Sequence, residues 1–373
     1  MVCRPSGFNL PESYPIRSAD TVVIHGIIAM QHDTNRWLPE RVNAGPWLTH
    51  FTVNELESRI QSEQVVLPIC SLGTPSDEVA RSGPLVLPPL YQEALDAELK
   101  SALLERIRHC FPYVRGSRRR ARLGDRLEVI ELPPSRTASP SAPRVLAFSV
   151  DTAVEQHGPH LPLATDTIQS YAVLCRLADE FDGFVVGPPV DYGHLTWGLP
   201  RGFSIDITPE LLLRYVTAFV NAVLDWAAPE AIYVVDVHRS PVHRQSIQQG
   251  LAASRAQKWR FRWLHEPLVE FAFERGDQHA GGVETAMIEQ INSRLLDARW
   301  WPDRVEELTA GEMSVEQAIE LSADMPSFIK HFESTLWNGI VGRIRNYFAL
   351  DGRLLMDRVL DVARRDVQAL ANE

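Results

Sequence analysis

The chain has 373 residues, 45% of them hydrophobic, and a formal charge of -11 at pH 7. This length and hydrophobic content are typical of a globular protein with one large or two ordinary domains. The negative charge argues against general nucleic-acid binding. The N-terminus lacks a signal-peptide pattern, and no apolar run approaches the roughly 18 residues of a membrane span. The four cysteines are scattered along the chain, which predicts reduced thiols. We therefore expect a cytoplasmic protein that binds neither nucleic acid nor membrane.

The N-terminal part of the chain predicts a few regular elements. Thr52 and Glu55 form a capping-box pattern that opens a helix. The apolar stretch Val65–Cys70 predicts a strand after that helix. A second helix is predicted from residue 95 to about residue 108, because its apolar residues recur at helical spacing.

Two further segments separate this part from the rest of the chain. Residues 115–126 hold six arginines and one aspartate. We expect a solvated loop there, and attraction of an anionic substrate or partner is the alternative. Residues 133–143 are rich in Pro, Ser and Ala, which is typical of a linker. The linker divides the chain into an N-terminal extension, residues 1–144, and a main domain, residues 145–373.

The main domain opens with a strand and a loop rich in metal-binding side chains. The apolar run 145–150 predicts a buried strand, and Glu155, His157, His160 and Asp166 follow it. Glu155 and His157 are two residues apart, so they project to the same side of an extended backbone. The loop's Gly and Pro residues exclude a regular helix and let Asp166 fold back toward them. Carboxylates mixed with imidazoles suit zinc, manganese or iron, and a polar loop with incidental histidines is the alternative.

Residues 155–166, Glu-Gln-His-Gly-Pro-His-Leu-Pro-x-x-Thr-Asp, resemble the signature of the creatininase family of metal-dependent amidohydrolases. The resemblance implies that Glu155 and His157 bind two different divalent metal ions and that Asp166 bridges them. Zinc is the first expectation, with manganese or iron as alternatives. The resemblance runs from about residue 145 to the C-terminus. It implies a layered α/β/α fold, and the alternation of predicted strands and helices independently predicts a mostly parallel sheet.

A weaker resemblance to the same family lies in the extension. The predicted helix and strand that end near Gly73 resemble the opening of a creatininase domain, but no histidine follows. Asp77 and Glu78 stand in that loop instead, and we expect them to be solvated. The extension is therefore either a degenerate partial repeat or a region inserted before the metal-binding loop.

A loop rich in glycine and aromatic residues follows the next predicted strand. It stands where family members carry a Pro-x-x-Tyr-Gly loop that ends in Phe-Pro-Gly-Thr. The resemblance implies that Tyr192, His194 and Trp197 contact the substrate. Residues 200–203 depart from the family's pattern, so we expect the wall that faces the substrate to differ from that of typical members.

The third predicted strand of the main domain delivers another histidine. Thr208 is an N-cap for a long helix, and the apolar run 231–237 after it predicts a central parallel strand. His238 ends this strand, and the resemblance implies that it binds a metal ion. Some family members use a glutamate two residues later as a ligand, and Ser240 cannot take that role. His243 is either a substitute ligand or a surface residue.

The segment His279-Ala-Gly-Gly-Val-Glu284-Thr is the second close match to the family. The resemblance implies that His279 shuttles a proton and that Glu284 binds the second metal ion in place of the missing glutamate. A buried, hydrogen-bonded structural histidine is the alternative for His279. We expect residues 300–329 to form a polar surface excursion and residues 352–370 to form a helix that packs on the core.

These residues together predict a hydrolase of a C–N amide bond. Two divalent ions that share Asp166 would hold a hydroxide between them and polarise an amide carbonyl. His279 would protonate the departing nitrogen. We expect a small-molecule substrate with a non-peptide or cyclic amide in a specialised biosynthetic or catabolic pathway. Creatinine itself is not expected, because the loops that shape the pocket differ.

Three alternatives remain open at this point. The protein is a peptidase that trims a modified precursor peptide, a single-metal enzyme with one site lost, or a non-catalytic relative that acts as a binding or scaffold protein. The altered segment after His238 favours the non-catalytic reading, and the presence of five candidate ligands argues against it. The family resemblance also implies a homo-oligomer.

Overall fold

The computed structural model of the chain describes residues 2–4, 20–21, 49–51, 64–65, 96–99, 101–103, 105–106, 144–152, 155–162, 164–187, 189–190, 192–195, 204–297, 300–324, 331 and 337–372. Near the N-terminus, strand β1, Val2–Arg4, pairs antiparallel with β3, Thr49–Phe51. Strand β2, Asp20–Thr21, pairs in parallel with β4, Gln64–Val65. None of the described helices is long and apolar enough to cross a membrane.

Four parallel strands form the main sheet, in the order β6-β5-β7-β8. They are β5, Val145–Ser149; β6, Phe184–Val186; β7, Ala231–Asp236; and β8, Trp259–Trp263. Every residue of β5 and β7 is buried, as expected for central parallel strands with continuous apolar sequences. The predicted parallel sheet is confirmed.

Helices cover both faces of this sheet. The helices are α1, Thr165–Glu180; α2, Pro209–Ala227; α3, Pro241–Ala253; α4, Val269–Glu274; α5, Gly282–Asn292; α6, Val305–Ala310; α7, Val315–Ser322; and α8, Gly352–Asn372. Among the described residues, 3-10 helices lie at Glu266–Leu268, Ser293–Leu295 and Ile344–Ala349. Helices α1 and α8 pack together, as do α2 and α3.

Side chains of the central strands show that the helices lie on opposite faces. Phe148 of β5 packs edge-on against Phe219 of α2, with ring centroids 5.0 Å apart. Tyr233 of β7 points to the other face, where its hydroxyl donates a hydrogen bond to Asp366 of α8. Tyr233 is in register with Ala147, the residue before Phe148, and neighbours along a strand face opposite ways. The predicted α/β/α layering is therefore confirmed.

Strand order places the functional loops side by side. The chain runs from β5 through α1 to β6 on one side, and from β7 through α3 to β8 on the other. The connections that follow the neighbouring strands β5 and β7 therefore run toward opposite edges of the sheet. Such a switch point opens a crevice at the carboxyl ends of the strands, where α/β proteins bind ligands. The residues after Ser149 and after Asp236 meet in this crevice.

The start of α2 follows the predicted capping chemistry. The Thr208 side chain accepts a hydrogen bond from the Leu211 amide at 3.3 Å, and Pro209 occupies the first helical position. The helix ends at Ala227. Ala228 then adopts the left-handed conformation, with φ of 44°, and closes the helix.

The prediction of a surface excursion over residues 300–329 is wrong for the part that the structure describes. Residues 305–310 and 315–322 form α6 and α7. Trp301 is 5% exposed and belongs to the main core, and Val315 belongs to a second apolar cluster with Val341. The contributing apolar residues are far apart in sequence, so no local periodicity revealed their burial.

One described stretch of the N-terminal extension, within residues 96–106, packs on the main domain. Residues 97–106 are helical where they are described, and Leu99 and Leu103 join the main core. Arg106 pairs with Asp206 in the segment before α2. The extension therefore contributes apolar contacts and an ion pair to the main domain.

Other predictions for the extension lie outside the described residues. They concern the helix from Thr52, residues 66–70 of the strand predicted at Val65–Cys70, the acidic pair Asp77 and Glu78, the arginine-rich residues 115–126 and the linker at 133–143. Val65, the first residue of that predicted strand, ends β4.

Candidate metal centre

Asp166, in the first turn of α1, stands at the centre of a buried cluster of carboxylates and imidazoles. Its Oδ1 lies 3.2 Å from His157 Nε2, and its Oδ2 lies 3.4 Å from His238 Nδ1. Glu155 Oε2 is 3.1 Å from the same nitrogen of His238, and Glu284 Oε2 is 4.0 Å from His157 Nε2. Each oxygen of Asp166 therefore faces its own pair of one histidine and one glutamate.

These five side chains come from four separate elements. Glu155 and His157 follow β5, Asp166 begins α1, His238 follows β7, and Glu284 lies in the first turn of α5. Four of them are buried, and the His238 side chain is 10% exposed. The structure thus brings together all five residues that the sequence analysis named as metal ligands.

Backbone carbonyls hold both histidine rings in one orientation. His157 Nδ1 donates a hydrogen bond to the Glu155 carbonyl at 3.0 Å, which leaves Nε2 toward the carboxylates. His238 Nε2 donates to the His194 carbonyl at 3.1 Å, which leaves Nδ1 toward them. Metal-binding histidines use the same arrangement, because the second nitrogen fixes the ring and its tautomer.

The charges inside the cluster compensate one another. Burial alone would lower the pKa of His157, but the carboxylates of Asp166, Glu284 and Glu155 raise it to about 10. Burial opposes ionisation of Asp166, yet His157 and His238 hold its pKa well below the usual value. Burial and Asp166 raise the pKa of Glu284 to about 7. Protonated imidazoles here supply positive charge that a bound metal ion would supply in their place.

The donor set fits divalent metal ions of borderline softness. Imidazole nitrogens combined with carboxylate oxygens suit zinc, manganese or iron. Single ligand atoms of Glu155, His157 and Asp166 lie within 4.8 Å of one another, and so do those of His157, His279 and Glu284. Both groups are compact enough for their donor atoms to converge on one ion.

Thr152 is a member of the site that the sequence analysis missed. Its buried hydroxyl contacts Glu155 Oε2 and lies 3.3 Å from Asp166 Oδ2. These are the two oxygens that face His238, so Thr152 orients both carboxylates on that side. Its place three residues before Glu155 was the only sequence signal.

His279 presents one ring nitrogen to the cluster. Its Nε2 donates a hydrogen bond to the Gln156 carbonyl at 2.7 Å, and its Nδ1 is 3.9 Å from Glu155 Oε1. Burial and the neighbouring His157 lower the pKa of His279 to about 4. The ring is therefore neutral at pH 7 and has an unprotonated nitrogen on the side of the ligands.

A glycine turn locks the residue that supports His279. The side-chain amide of Gln156 donates a hydrogen bond through Nε2 to the Gly339 carbonyl at 3.1 Å. Its Oε1 accepts a hydrogen bond from the backbone amide of Gly158 at 3.1 Å. Gly339 has φ of +98°, and a Cβ there would lie 1.8 Å from Gln156 Oε1. The His279 backbone also pairs with Val341. The turn at Gly339 and the nearby residue Val341 thus hold Gln156 and His279 in place.

The start of α5 is built around Asp277. Its Oδ2 accepts a hydrogen bond from the Val283 amide at 3.0 Å, and Glu284 Oε2 accepts from the Ala280 amide at 2.6 Å. A Cβ on Gly281 would lie 2.0 Å from Asp277 Oδ1. The glycine at this position is required because the carboxylate packs directly against the helix start, which directs Glu284 toward His157.

A cavity opens beside the cluster, and its described walls come from several loops. The lining residues are Glu155, Asp166, His238, Arg239, Ser240, Pro241, Gln278, His279, Glu284 and Ser322. Tyr192 is 1% exposed, and His194 Nδ1 lies 3.0 Å from Asp206 Oδ1. Neither residue is among the described lining, and Trp197 lies outside the described residues. Substrate contact by these three residues stays a prediction.

Both alternatives for His243, a substitute ligand or a surface residue, are wrong. The ring is fully buried; its Nε2 donates to the Val150 carbonyl at 2.9 Å, and its Nδ1 accepts from the His194 amide at 3.0 Å. With both nitrogens occupied, His243 supports the loop that contacts His238. Ser240 serves as the N-cap of α3. His160 is also structural, because it is buried against the Thr285 hydroxyl at 2.9 Å.

Comparison with known proteins agrees with this architecture. The sequence model of the creatininase family, described as creatinine amidohydrolase, matches residues 145–365, and the chain belongs to this family of metal-dependent amidohydrolases. It is 25% identical over 220 residues to the mycofactocin precursor peptide peptidase of Mycobacterium ulcerans, with 56% of this chain and 79% of the relative covered. Its identity to the peptidase of the same name from Mycolicibacterium smegmatis is 31% over 147 residues, which cover 38% of this chain and 55% of the relative.

Solved structures of the family are also similar to this chain. A putative creatinine amidohydrolase from Bacteroides fragilis superposes with a TM-score of 0.49 at 18% identity, over 62% of this chain and 90% of that protein. The predicted membership of the creatininase family is confirmed by the family match over residues 145–365.

Proposed function

We propose that this protein is a metal-dependent peptidase that cleaves an amide bond in a short precursor peptide. The observation that carries the proposal is the position of Asp166, which offers one oxygen to each of two histidine–glutamate pairs. The two relatives named as precursor peptide peptidases favour a peptide over the cyclic amide expected from the sequence.

The ligand geometry supports two metal positions. His157, Glu284 and Asp166 Oδ1 would hold one divalent ion, and His238, Glu155 and Asp166 Oδ2 would hold the other. Zinc, manganese and iron all fit this donor set. When bound, such ions supply an activated water and polarise the carbonyl of the substrate amide.

His279 would move the proton that amide hydrolysis requires. Its neutral ring accepts a proton at Nδ1, the nitrogen that faces the ligand cluster, and returns that proton to the departing nitrogen. The Nε2–H bond to the Gln156 carbonyl keeps the ring in place and favours its cationic form during the transfer. We assign residues 145–373 as the catalytic domain and residues 1–144 as an extension, of which Leu99 and Leu103 join the core of that domain.

Metal analysis of the purified full chain is the first test. Wild type should bind about two ions per chain, Asp166→Ala almost none, and the exposed control Asp225→Ala as many as wild type. His279→Gln should keep its metal while kcat falls about a hundred- to ten-thousandfold. Loss of metal in His279→Gln would make that residue a ligand instead.

A substrate screen then separates the remaining readings. Short peptides and cyclic amides, creatinine included, are incubated with the metal-loaded protein and with protein treated with a chelator. Hydrolysis of peptides that stops with the chelator and returns with metal supports the proposal. Hydrolysis confined to cyclic amides contradicts it. Failure to bind zinc, manganese or iron leaves a binding or scaffold protein as the better description.

A further inference from the structure

Arg239 brings a permanent positive charge to the cavity beside the metal ligands. It is the one lysine or arginine among the described lining residues, and it follows the ligand His238 directly at the end of β7. The proposed mechanism gives it no role. A guanidinium stays protonated throughout the physiological pH range, so this charge is present whenever substrate binds.

The contacts of Arg239 leave most of its donors unused. Its Nη1 donates a hydrogen bond to the Asp277 carbonyl at 2.9 Å, which anchors one arm of the guanidinium. Its Nε is buried and has no hydrogen-bond partner among the described residues. No described carboxylate lies within 4.0 Å of the group. An anchored guanidinium with free donors, and with no ion-pair partner among the described residues, is ready to bind an anion.

Charge balance in the loaded site points the same way. The lining carboxylates Glu155, Asp166 and Glu284 carry at most three negative charges, and two divalent ions carry four positive ones. The loaded site is therefore not negative even before the guanidinium is counted. Burial raises the pKa of Glu284 and of Asp277 and the charge of Arg239 opposes this rise, but neither carboxylate lies within 4.0 Å of the guanidinium. A partly buried charge that no described carboxylate contacts directly is unfavourable.

We propose that Arg239 binds a carboxylate of the substrate next to the amide that is cleaved. The inference rests on the proposed function and narrows its substrate to peptides with an anionic group at this position. A carboxylate matches the planar fork of a guanidinium, with two parallel N–H···O bonds. The carboxylate comes either from the C-terminus of the peptide or from an Asp or Glu side chain near the cleaved bond.

Four short peptides distinguish these two sources. The first pair is acetyl-Ala-Ala-Ala as a free acid and as its C-terminal amide. The second pair consists of C-terminal amides, acetyl-Ala-Glu-Ala-amide and acetyl-Ala-Gln-Ala-amide. Binding is measured by calorimetry on metal-loaded full chain that carries His279→Gln, so that the peptide is not consumed. Metal content and circular dichroism verify that each variant is loaded and folded.

Three substitutions in this background test the residue itself. Arg239→Met removes the charge at similar length, and Arg239→Lys keeps the charge but loses the fork. Arg353→Met is the matched control, because that side chain is 78% exposed on α8. Arg239→Lys retains a donor for the Asp277 carbonyl, so it separates loss of anion binding from loosening of that loop.

We expect the His279→Gln protein that retains Arg239 to bind the anionic peptide of one pair about ten- to a hundredfold more tightly than the neutral peptide of that pair. The preference should fall below about twofold in Arg239→Met, lie between in Arg239→Lys, and persist in Arg353→Met. Preference within the first pair identifies a C-terminal carboxylate, and preference within the second identifies an acidic side chain.

Two results would overturn the proposal in different ways. If peptides bind with no preference in either pair, or if the preference persists in Arg239→Met, Arg239 does not read a carboxylate and the proposed function stands. If metal-loaded protein binds none of the four peptides and the substrate screen finds no peptide cleavage, the peptidase function itself fails, and the inference fails with it.

Discussion

Two buried clusters of charged residues, one around Asp166 and one around Asp366, solve the problem of burial differently. Asp366 in α8 is 3% exposed and accepts hydrogen bonds from Arg260, Arg262 and Tyr233. Each of its oxygens meets a guanidinium that remains charged at any physiological pH. The Asp366 cluster therefore carries its own counter-ions, and the chain itself completes it.

In the cluster around Asp166, the direct partners of the carboxylates among the described residues are histidines, and no described guanidinium lies within 4.0 Å of Asp166. Three carboxylates share two imidazoles, and both imidazoles lose their protons readily compared with a guanidinium. Carboxylates thus outnumber the histidines that face them. A buried charge cluster closed by arginine is thus neutralised by the chain itself, whereas one closed by histidine is able to exchange protons for metal ions.

Removal of metal should reveal the largest difference between the two clusters, in the free energy of unfolding. Zinc at about a thousand times its dissociation constant should stabilise the wild-type chain by about 4 kcal/mol, because it binds the folded state. Urea denaturation with zinc and with a chelator measures the difference. Asp166→Asn should lose most of this stabilisation, and Asp366→Asn should keep it. Equal zinc stabilisation in wild type and Asp166→Asn would place the metal elsewhere.

Loss of the second carboxylate should affect stability instead of metal binding. Asp366→Asn removes the buried carboxylate that Arg260 and Arg262 share, and Arg262 keeps an ion pair with Glu266, whose side chain is 58% exposed. We expect a loss of about 3 kcal/mol in the free energy of unfolding without metal. This value is at the low end for a buried pair, because the two arginine side chains are 33% and 23% exposed. Metal content should not change.

The control for this stability measurement is an exposed ion pair. Asp225 pairs with Arg255, and both side chains are more than half exposed. Asp225→Asn should change the unfolding free energy by less than about 1 kcal/mol. If Asp366→Asn lowers the unfolding free energy no more than this control does, the Asp366 cluster contributes no more to stability than a surface ion pair.

Four of the five candidate metal ligands lie in two compact motifs of the sequence. Glu155, His157 and Asp166 fall within twelve residues after a clear strand, and Glu284 follows a glycine-rich segment. The parallel sheet was also accessible, since alternating apolar strands and helices leave few topologies. Local pattern indicated Glu155, His157 and Asp166 as candidate ligands, whereas His238 and Glu284 were implied by the family resemblance.

What the sequence analysis missed depends on contacts between distant segments. The role of Thr152 rests on two carboxylates that converge only in the folded chain. His243 belongs inside because the loop of His194 folds over it, and no local pattern indicates that. The burial of Trp301 likewise depends on residues 344–349 packing across it, with the rings of Trp301 and Tyr347 4.4 Å apart.

The support of His279 allows a sharper test of how the Asp166 cluster is positioned. Gly339→Ala would place a Cβ 1.8 Å from Gln156 Oε1 and strain a backbone with φ of +98°. Gln156 must then move, and the carbonyl that holds His279 moves with it. We expect kcat to fall by about a hundredfold, as for a misplacement of about 1 Å, while metal content stays at the wild-type level.

Gly276→Ala is the matched control for that substitution. Gly276 also has a positive φ, of +59°, but a Cβ there meets only Arg343 Nε at 3.6 Å. The two variants therefore share backbone strain and differ in the contact with Gln156. An equal fall in kcat for both would attribute the effect to general strain and not to the position of His279.

The smallest expected effect concerns the hydroxyl that orients two of the ligands. Thr152→Val keeps the side-chain shape but removes the contacts to Glu155 and Asp166, so metal affinity should fall by about tenfold. Competition with a chromophoric chelator measures this change. Thr152→Ser should retain the affinity, and Thr309→Val, whose hydroxyl bonds only to the Val305 carbonyl, should leave it unchanged. We expect Thr152→Val to lower metal affinity and Thr309→Val to leave it unchanged, because carboxylates without a permanent counter-ion depend on neutral donors to hold their orientation. Wild-type affinity in Thr152→Val would mean that the five ligands are held by their own elements alone.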